Sequence, residues 1–192
     1  MAPGSAGTNV VQRKIALMGY PCVGKSSLVL RFVKGRFPDA YDTTIEDTHD
    51  KTVTFRGRQY SLHLIDTAGQ QEYSMFPRSC SFDIHGYVLV YAINSRRSYE
   101  VVKTIRDKIL DNVGDVHTPM ILVGNKLDLH HVEREVPNEE AKNLAVSWKA
   151  AFLETSAKEN NQVEQIFERL LYEIEKEHGN IKPAGDSKCS VC

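Results

Sequence analysis

The stretch Gly19-Tyr20-Pro21-Cys22-Val23-Gly24-Lys25-Ser26 decides the fold of this chain. It fits the phosphate-loop pattern G-x-x-x-x-G-K-[ST], and it stands between a short apolar run, residues 15–18, and a run with helical spacing, residues 27–33. The glycines let backbone N–H groups curl around an anion, and the helix N-terminus adds a partial positive charge. The loop therefore predicts a nucleoside triphosphate as ligand, with Lys25 reaching the β- and γ-phosphates and the Ser26 hydroxyl binding Mg²⁺.

The composition is that of one domain with short tails. The chain has 192 residues, of which 41% are hydrophobic, and 24 basic and 25 acidic residues leave a formal net charge of -1. No bulk field attracts nucleic acid, so we expect no nucleic-acid partner. No run approaches about 18 apolar residues and no signal region is evident, so we expect a protein that is neither secreted nor membrane-spanning. The cysteines lack zinc-ligand spacing, which favours a reduced, cytosolic setting.

Apolar runs and helical spacings alternate between residues 13 and 177, which predicts an α/β domain. The predicted strands are residues 15–18, 52–55, 60–65, 86–92, 120–124 and 151–154. The second and third flank Arg56-Gly57-Arg58 and alternate in polarity, which indicates an antiparallel hairpin, whereas the others are continuous apolar runs. We expect a single-domain phosphate-loop fold: a six-stranded, mostly parallel sheet with one antiparallel edge strand and helices on both faces.

The helix starts and the chain ends complete this prediction. Ser95 and Asn138 are the residues expected to be N-caps of two helices. Residues 1–12 and 178–192 are polar and contain glycine and proline, which predicts a flexible N-terminal segment and a flexible tail around a domain of residues 13–177.

Asp66-Thr67-Ala68-Gly69-Gln70 follows the second hairpin strand directly. Asp66, at the carboxyl end of a strand, can hold Mg²⁺ through a water molecule, and Gly69 can offer its N–H to a γ-phosphate with no side chain in the way. Gln70 can orient an attacking water. These residues add a possible hydrolytic group to the predicted phosphate site.

Two further motifs follow later strands and indicate which base is bound. The Asp128 carboxylate of Asn125-Lys126-Leu127-Asp128 can accept hydrogen bonds from guanine N1–H and the N2 amino group, whereas adenine has an acceptor at N1 and no amine at C2. Ser156-Ala157-Lys158 can present the Ala157 N–H to guanine O6. Guanine is therefore predicted over adenine.

Thr44 lies in the polar segment 37–46, between the first helix and the hairpin. Its hydroxyl is a candidate to join the Mg²⁺ shell only when a γ-phosphate is present, which would order the loop. The segment therefore predicts a nucleotide-dependent switch.

In this order the motifs resemble those of the Ras superfamily of small GTPases. GYPCVGKS, Thr44, DTAGQ, NKLD and SAK carry the resemblance across residues 13–177, and YDxTIExT, DTAGQxEYSxFP and SWxAAFLExSAKEN point to one branch. The resemblance implies that Ser26 and Thr44 bind Mg²⁺ directly. It implies the nucleotide-binding set Cys22, Val23, Gly24, Lys25, Ser26, Ser27, Phe37, Pro38, Tyr41, Thr44, Gly69, Asn125, Lys126, Asp128, Ser156, Ala157 and Lys158. Within that set Phe37 would flank the guanine ring, and Pro38 and Tyr41 would lie along the nucleotide.

The sequence departs from the family at Pro21, where most Ras proteins have glycine. Proline has no N–H to donate and its fixed φ limits the loop, so we hypothesise slow intrinsic hydrolysis. The branch resembles a poor intrinsic hydrolase in which the switch tyrosine, here Tyr41, shields the γ-phosphate and the glutamine contributes less than elsewhere. The predicted catalytic set is Lys25, Tyr41, Thr44 and Gln70. Thr43 and Gln71 also depart from the family pattern, which bears on loop dynamics and activator contacts.

The C-terminal Cys189-Ser190-Val191-Cys192 fits the prenylation pattern with Cys189 as acceptor, and the final cysteine does not choose between farnesyl and geranylgeranyl. Only Lys182 and Lys188 are nearby, with Asp186 between them, so no polybasic second signal is evident. One lipid alone gives weak, reversible attachment. We expect a prenylated and methylated lipoprotein on the cytoplasmic face of endomembranes (lysosome, Golgi, endoplasmic reticulum) with a cytosolic pool.

These features predict a monomeric molecular switch that binds and hydrolyses GTP. The resemblance implies an effector kinase complex of the TOR type and a GTPase-activating complex of the tuberous-sclerosis type; the exchange factor is not implied. No arginine is evident in the switch loop, so the activating protein should contribute a stabilising group. The rivals are a GTP-binding module that barely hydrolyses, a different Ras-branch GTPase with another effector, and a phosphate-loop ATPase or small-molecule kinase, which Asp128 opposes.

Overall fold

The computed structural model describes residues 10–38, 44–114 and 118–181. Within them the strands are β1 (Val11–Gly19), β2 (Glu46–Phe55), β3 (Arg58–Thr67), β4 (Gly86–Ala92), β5 (Met120–Asn125) and β6 (Ala151–Glu154). The α-helices are α1 (Lys25–Lys34), α2 (Arg96–Val113), α3 (Asn138–Ser147) and α4 (Val163–Glu177). Short 3-10 turns lie at Arg78–Cys80 and Leu127–Leu129.

The strands form one sheet in the order β2-β3-β1-β4-β5-β6, in which β2 is antiparallel to β3 and every other pair is parallel. This is the predicted fold class, with β2 as the antiparallel edge strand. Strand β1 lies between β3 and β4, with Leu17 paired to Asp66 and Gly19 paired to Val90. The loop after Gly19 is therefore flanked by the carboxyl ends of two neighbours, where ligands bind in open parallel sheets.

The two faces of the sheet each carry a core, because successive side chains of a strand point to opposite faces. Ile15 and Leu17 of β1 pack with buried residues of α1 and α4. Ala16 and Met18 pack with buried residues of α2 and α3. This division confirms helices on both faces, and it explains why residues 15–18 of β1 and the whole of β4 are continuous buried runs.

One of the two N-cap predictions is confirmed. The Ser95 hydroxyl oxygen accepts a hydrogen bond from the Ser98 N–H at 3.2 Å, which caps α2. The prediction for α3 was wrong, because Pro137 holds the N-cap position and Asn138 is already helical. Pro137 has φ of −62° and an extended ψ of 139°, so the first helical residue is the next one, Asn138.

The described residues also correct two boundaries of the domain. Strand β1 begins at Val11, inside the predicted flexible segment, because its backbone pairs with β3 from Val11 and Tyr60 onward. Beyond α4, Asn180 donates to the Glu175 carboxylate at 2.7 Å, and Ile181 is only 9% exposed, so the chain lies against the domain past residue 177. The remainder of both predicted segments lies outside the described residues.

Candidate functional site

The phosphate loop has the strained backbone that its sequence suggested. Cys22 has φ of 61° and Gly24 has φ of 95°, and α1 begins at Lys25 with its first N–H groups facing the loop's end. A Cβ at Gly24 would lie 2.3 Å from Asn125 Nδ2, so both the backbone angle and the space require glycine. Cys22 is exposed and Val23 is buried, while Ser27 is half-buried in the first turn of α1.

Lys25 lies beneath this loop and is 6% exposed. Its Nζ donates to the carbonyl oxygens of Gly19 and Tyr20, both at 3.2 Å. Burial lowers the pKa of Lys25 to about 8, while the negative charge of Asp66 acts in the opposite direction. The side chain is a buried cation whose hydrogen bonds go to neutral carbonyl oxygens, so an anionic ligand at the loop would further stabilise its charged form.

Three oxygen-bearing side chains meet beside Lys25. Ser26 Oγ and Thr44 Oγ1 lie 2.8 Å apart, although they are separated by 18 positions in the chain. Asp66, at the end of β3, is 2% exposed, and its Oδ1 has no hydrogen-bond partner among the described residues. Burial raises the pKa of Asp66, while a hydrogen bond from Ser26 and the charge of Lys25 act against this rise.

These oxygens fit a magnesium ion. Hydroxyl and carboxylate oxygens are the hard donors that Mg²⁺ prefers, and neighbouring ligands of an octahedral ion bound at about 2.0–2.1 Å are about 2.9 Å apart. The separation of 2.8 Å between Ser26 Oγ and Thr44 Oγ1 matches that spacing. The unpaired Asp66 Oδ1 provides an acceptor for a metal-bound water.

Pro21 packs against the segment that contains Gln70. A Cβ at Gly69 would lie 2.5 Å from Pro21 Cα and 2.7 Å from Pro21 N, which are backbone atoms, and 2.6 Å from Cγ of the ring, so only glycine fits at position 69. The Gln70 N–H donates to Gly19 O at 2.9 Å, and the Gln70 side chain is 5% exposed with an unpartnered Nε2 in the described residues. The sequence placed these residues together; the water-orienting role of Gln70 stays a prediction.

Asn125 joins the phosphate loop to the loop after β6. Its Nδ2 donates to Val23 O at 2.8 Å, and its Oδ1 accepts from the Ala157 N–H at 3.2 Å. The side chain is 2% exposed, so these bonds are shielded from water. The Ala157 N–H that we expected at guanine O6 thus faces Asn125 in this structure, in a hydrogen bond at the long end of the usual range.

Asp128 is held in place by its neighbour across the site. Ser156 Oγ donates to Asp128 Oδ1 at 2.6 Å, and the Leu127 N–H donates to Thr155 O at 2.9 Å. Lys126 has φ of 69°, which turns the chain so that Asp128 follows β5 at the sheet's carboxyl edge. Asp128 is half-buried and has carboxylate capacity left for a ligand, and Lys158 is exposed nearby in the chain.

Arg31 is a site residue that the sequence did not reveal. Its Nε donates to Ala157 O at 3.0 Å and its Nη2 donates to Lys158 O at 2.8 Å. Its guanidinium lies 6.0 Å from the centre of the Phe37 ring, which is 39% exposed. Arg31 therefore brings Phe37 towards the loop after β6, a link across more than a hundred positions that no local pattern could indicate.

Lys108 of α2 is a second such residue, at the other loop. Its Nζ donates to the backbone oxygens of Glu72 and Ser74, just beyond Gln70.

Of the predicted site residues, Pro38 is half-buried at the end of a described range, whereas Tyr41 and Cys189 lie outside the described residues. Among residues 10–38, 44–114 and 118–181, no helix is both long and apolar enough to span a bilayer.

Comparison with known proteins gives a family and close relatives. A family model described as "Ras family" matches residues 14–176. The chain is 55% identical over 179 residues to the human "GTP-binding protein Rheb", covering 93% of this chain and 96% of that protein. It is 56% identical over 180 residues to the "GTP-binding protein Rheb homolog" of Drosophila melanogaster, covering 94% and 97%. It is also 46% identical over 182 residues to "GTP-binding protein rhb1" of Schizosaccharomyces pombe, covering 95% and 97%.

Proposed function

This chain belongs to the Ras family, in the Rheb-like branch that its finer motifs indicated, and from that premise we propose which residues carry its function as a switch. The protein binds GTP and hydrolyses it to GDP, as Ras-family GTPases do. The observation that supports the assignment most is the 2.8 Å approach of Ser26 Oγ to Thr44 Oγ1 beside the buried Asp66, because it joins the phosphate loop to the segment expected to switch.

The phosphates would lie on the loop and the first turn of α1. Backbone N–H groups from Cys22 to Ser27 would donate to the α- and β-phosphate oxygens, and Lys25 would reach between the β- and γ-phosphates. The Gly69 N–H would face the γ-phosphate. An anion at this position offsets the desolvation that lowers the Lys25 pKa to about 8, so the lysine is fully protonated when nucleotide is bound.

The base would be recognised by the loops after β5 and β6. Asp128, already oriented by Ser156, would accept from guanine N1–H and the N2 amino group. Phe37 would cover one face of the ring, and Pro38 and Tyr41 would lie along the nucleotide. Asn125, Lys126 and Lys158 would hold the walls of this pocket, with Asn125 acting through its bonds to Val23 and Ala157.

Mg²⁺ is the cofactor that the oxygen set fits. Ser26 and Thr44 would bind it directly and Asp66 through water. When bound, the ion supplies positive charge against the phosphate oxygens. Thr44 can bind the ion only when its segment lies over the phosphate loop. The position of Thr44 would therefore distinguish the two states of the switch.

Hydrolysis would depend on Lys25, Tyr41, Thr44 and Gln70. Lys25 would stabilise charge that develops on the transferred phosphoryl group. Gln70 would need to leave its buried position beside Pro21 before it could orient a water, which is a reason to expect a slow intrinsic rate. Among the described residues of the segments around Thr44 and Gln70, no arginine reaches the site, so an activating protein would contribute the missing charge.

The metal assignment is tested by nucleotide release. Protein loaded with a fluorescent GDP analogue should release it slowly in Mg²⁺ and at least about tenfold faster after chelation. Ser26→Ala should release nucleotide at the chelated rate whether or not Mg²⁺ is present. Ser147→Ala, which removes a hydroxyl bonded to Leu144 O on α3, is the matched control and should behave as wild type. Equal magnesium dependence in Ser26→Ala and wild type would remove Ser26 from the metal site.

The partners follow from the branch and from the tail. The family implies effectors and regulators in general; specifically, the effector would be a kinase complex of the TOR type and the activator a complex of the tuberous-sclerosis type. The protein would act as a monomer, prenylated and methylated at Cys189, on endomembranes (lysosome, Golgi, endoplasmic reticulum) with a cytosolic pool. The test is localisation of Cys189→Ser: a variant still found at membranes contradicts the lipid anchor.

A GTP-binding module with negligible intrinsic hydrolysis is the second candidate, and the packing of Pro21 on Gly69 favours it. Phosphate release with and without a cell extract separates the two, because a regulated switch should accelerate when an activating protein is present. An ATP-specific enzyme would require that ATP displace labelled GDP at equal concentration, which the Asp128 carboxylate disfavours.

A further inference from the structure

A groove lies between the edge strand β2 and helix α4, away from the nucleotide site. It encloses about 250 Å³, and its apolar lining comes from α1, β2, β3 and α4. The apolar lining residues are Phe32, Val53, Phe55, Leu62, Phe167 and Leu171. One wall is the run 51–55 of β2, whose consecutive residues all line the groove, so the free edge of the strand faces it. The groove thus combines apolar side chains with unpaired strand N–H and C=O groups.

The described chain ends at the mouth of this groove. Ile181 and Asn180 line a hollow of about 380 Å³, together with Phe55, Arg56, Arg58 and Tyr60. Phe55 lines both the hollow and the groove, so the two are adjacent. Ile181 is 9% exposed, which means that the chain already packs on the β2–β3 hairpin before the tail begins.

The chain turns just after α4. Gly179 has φ of 71°, and the N–H groups of Asn180 and Ile181 both donate to Glu175 O, at 2.9 and 3.3 Å. These bonds place Asn180 and Ile181 back beside the last turn of α4. A tail in the groove would pass Leu171 before Glu164, and therefore run antiparallel to α4.

The tail is long enough to fill the groove. Residues 182–192 follow Ile181, and eleven extended residues span at most about 36–40 Å. The wall formed by residues 51–55 of β2 needs only about 17 Å. The segment up to Lys188 therefore covers the groove with residues to spare.

The acidic side chains of the groove complement the lysines of the tail, whereas the hollow at its mouth carries Arg56 and Arg58. Glu164 and Glu168 line the groove from α4, are exposed, and form no ion pair with a described residue. The tail carries Lys182 and Lys188 with one acid, Asp186, between them. The single cation of the groove, among the residues described, is Lys51, and its Nζ already donates to Phe32 O and lies 4.0 Å from the Phe32 ring centre.

We propose that the chain's own tail, residues 182–188, docks in the groove between β2 and α4, extended and antiparallel to α4, with its lysines against Glu164 and Glu168. Backbone groups of the tail pair with the free edge of β2, as in other cases of strand addition. This docking uses residues before Cys189 and a groove away from the nucleotide site, so it requires neither a lipid nor a particular nucleotide.

Amide hydrogen exchange tests the docking. Residues 51–55 are compared in the full chain and in a chain that ends at Ile181, which keeps every described residue of the domain. The full chain should exchange at least about threefold more slowly at these positions, because the tail protects the free edge of β2. Equal rates at residues 51–55 overturn the proposal.

A charge variant in the full chain separates docking from an effect of truncation on folding. Glu168→Lys should raise exchange at residues 51–55 to the level of the truncated chain, and Lys182→Glu with Lys188→Glu should restore protection in the same variant. Glu139→Lys, an equal charge change at an exposed position of α3, is the control and should leave the rates as in wild type.

Protection that survives Glu168→Lys overturns the charge pairing and with it the proposed placement. Protection that grows with protein concentration assigns the groove to a second copy's tail and overturns docking within one chain.

Discussion

The two ends of the sheet differ in whether their buried polar atoms have hydrogen-bond partners. At the carboxyl end, Asp66 Oδ1 and Gln70 Nε2 are buried without a partner in the described residues. At the opposite end, the fully buried Glu175 carboxylate accepts from Arg13 Nε and from Asn180 Nδ2, both at 2.7 Å. Buried polar groups are normally paired, so we infer that a ligand pairs those at the carboxyl end. We call this end the binding end, and the opposite end, where the protein's own groups form the pairs, the closed end. Changes at the first should alter binding, and changes at the second should alter stability.

The largest effect is expected from Asp128→Asn at the carboxyl end. The amide loses one of the acceptors for guanine and presents N–H groups to its donors, so affinity for GDP should fall about a thousandfold. Xanthine has an oxygen in place of the 2-amino group, so the variant should bind xanthosine diphosphate more tightly than wild type does. Titration with fluorescent nucleotides measures both affinities.

The matched control is Asp111→Asn, an exposed carboxylate of α2. It should keep wild-type affinity for GDP. If Asp128→Asn also kept it, the base would have to be recognised by other groups, and the loop after β5 would not belong to the binding end of the sheet.

Glu175→Gln should have the next largest effect, and at the other end. The substitution leaves Arg13 buried to about nine-tenths without its counter-charge, and breaking such a pair costs about 3 kcal/mol of unfolding free energy. Denaturant unfolding measures this loss, and GDP affinity should be unchanged. Glu173→Gln, whose partner Lys176 is partly exposed, should cost about 0.5 kcal/mol or less. A loss of nucleotide affinity in Glu175→Gln would erase the distinction between the two ends.

The same carboxylate predicts a smaller effect of acid. Burial raises the pKa of Glu175, but hydrogen bonds from Arg13 and Asn180 outweigh it, so the pKa lies below its usual value of 4.5. The folded state therefore binds this proton less readily than the unfolded state, and the stabilisation is present above about pH 4.5 and lost as pH falls through the folded pKa. Urea unfolding between pH 6 and pH 3 should show a shallower loss of stability in Glu175→Gln than in wild type. Parallel curves for the two proteins would contradict the assignment.

The binding end was largely predictable from sequence because its motifs are local. A phosphate loop is eight consecutive residues, Asp66 and Asn125 stand at the carboxyl ends of β3 and β5, and Ala157 lies three residues beyond β6. Parallel strands bring such positions to one edge of the sheet, so their order in the chain suffices to place them together. Strand β4 was also predicted with its observed bounds, because all seven of its residues are buried and form one local run.

The closed end was not predictable, since its contacts join distant residues. Arg13 and Glu175 are 162 positions apart, and nothing near either of them in the sequence indicates the pair. At the binding end, the polar amino half of β2, where Glu46 pairs with Thr67, was also missed, because its residues are held by the ladder with β3 and carry no apolar pattern. Sequence patterns report burial and local geometry, whereas these features depend on tertiary pairing.

The smallest effect concerns the one place where the binding end is packed as tightly as the closed end. Pro21 leaves no room for even a Cβ at Gly69, and Gln70 is buried directly beyond it. Pro21→Gly removes the ring and the fixed φ, so Gln70 gains freedom to leave its buried position, and intrinsic GTP hydrolysis should rise about three- to tenfold, or about 1 kcal/mol in activation free energy. Single-turnover phosphate release from GTP-loaded protein measures the rate. Pro21→Ala also restores the N–H and removes the ring, but it keeps a Cβ and the backbone limits of a non-glycine residue: a rate like that of Pro21→Gly assigns the brake to the ring and the missing donor, and a rate like that of wild type assigns it to the restricted backbone. Equal rates in all three proteins would mean that the tight contact has no part in the reaction, and that Pro21 does not slow this GTPase.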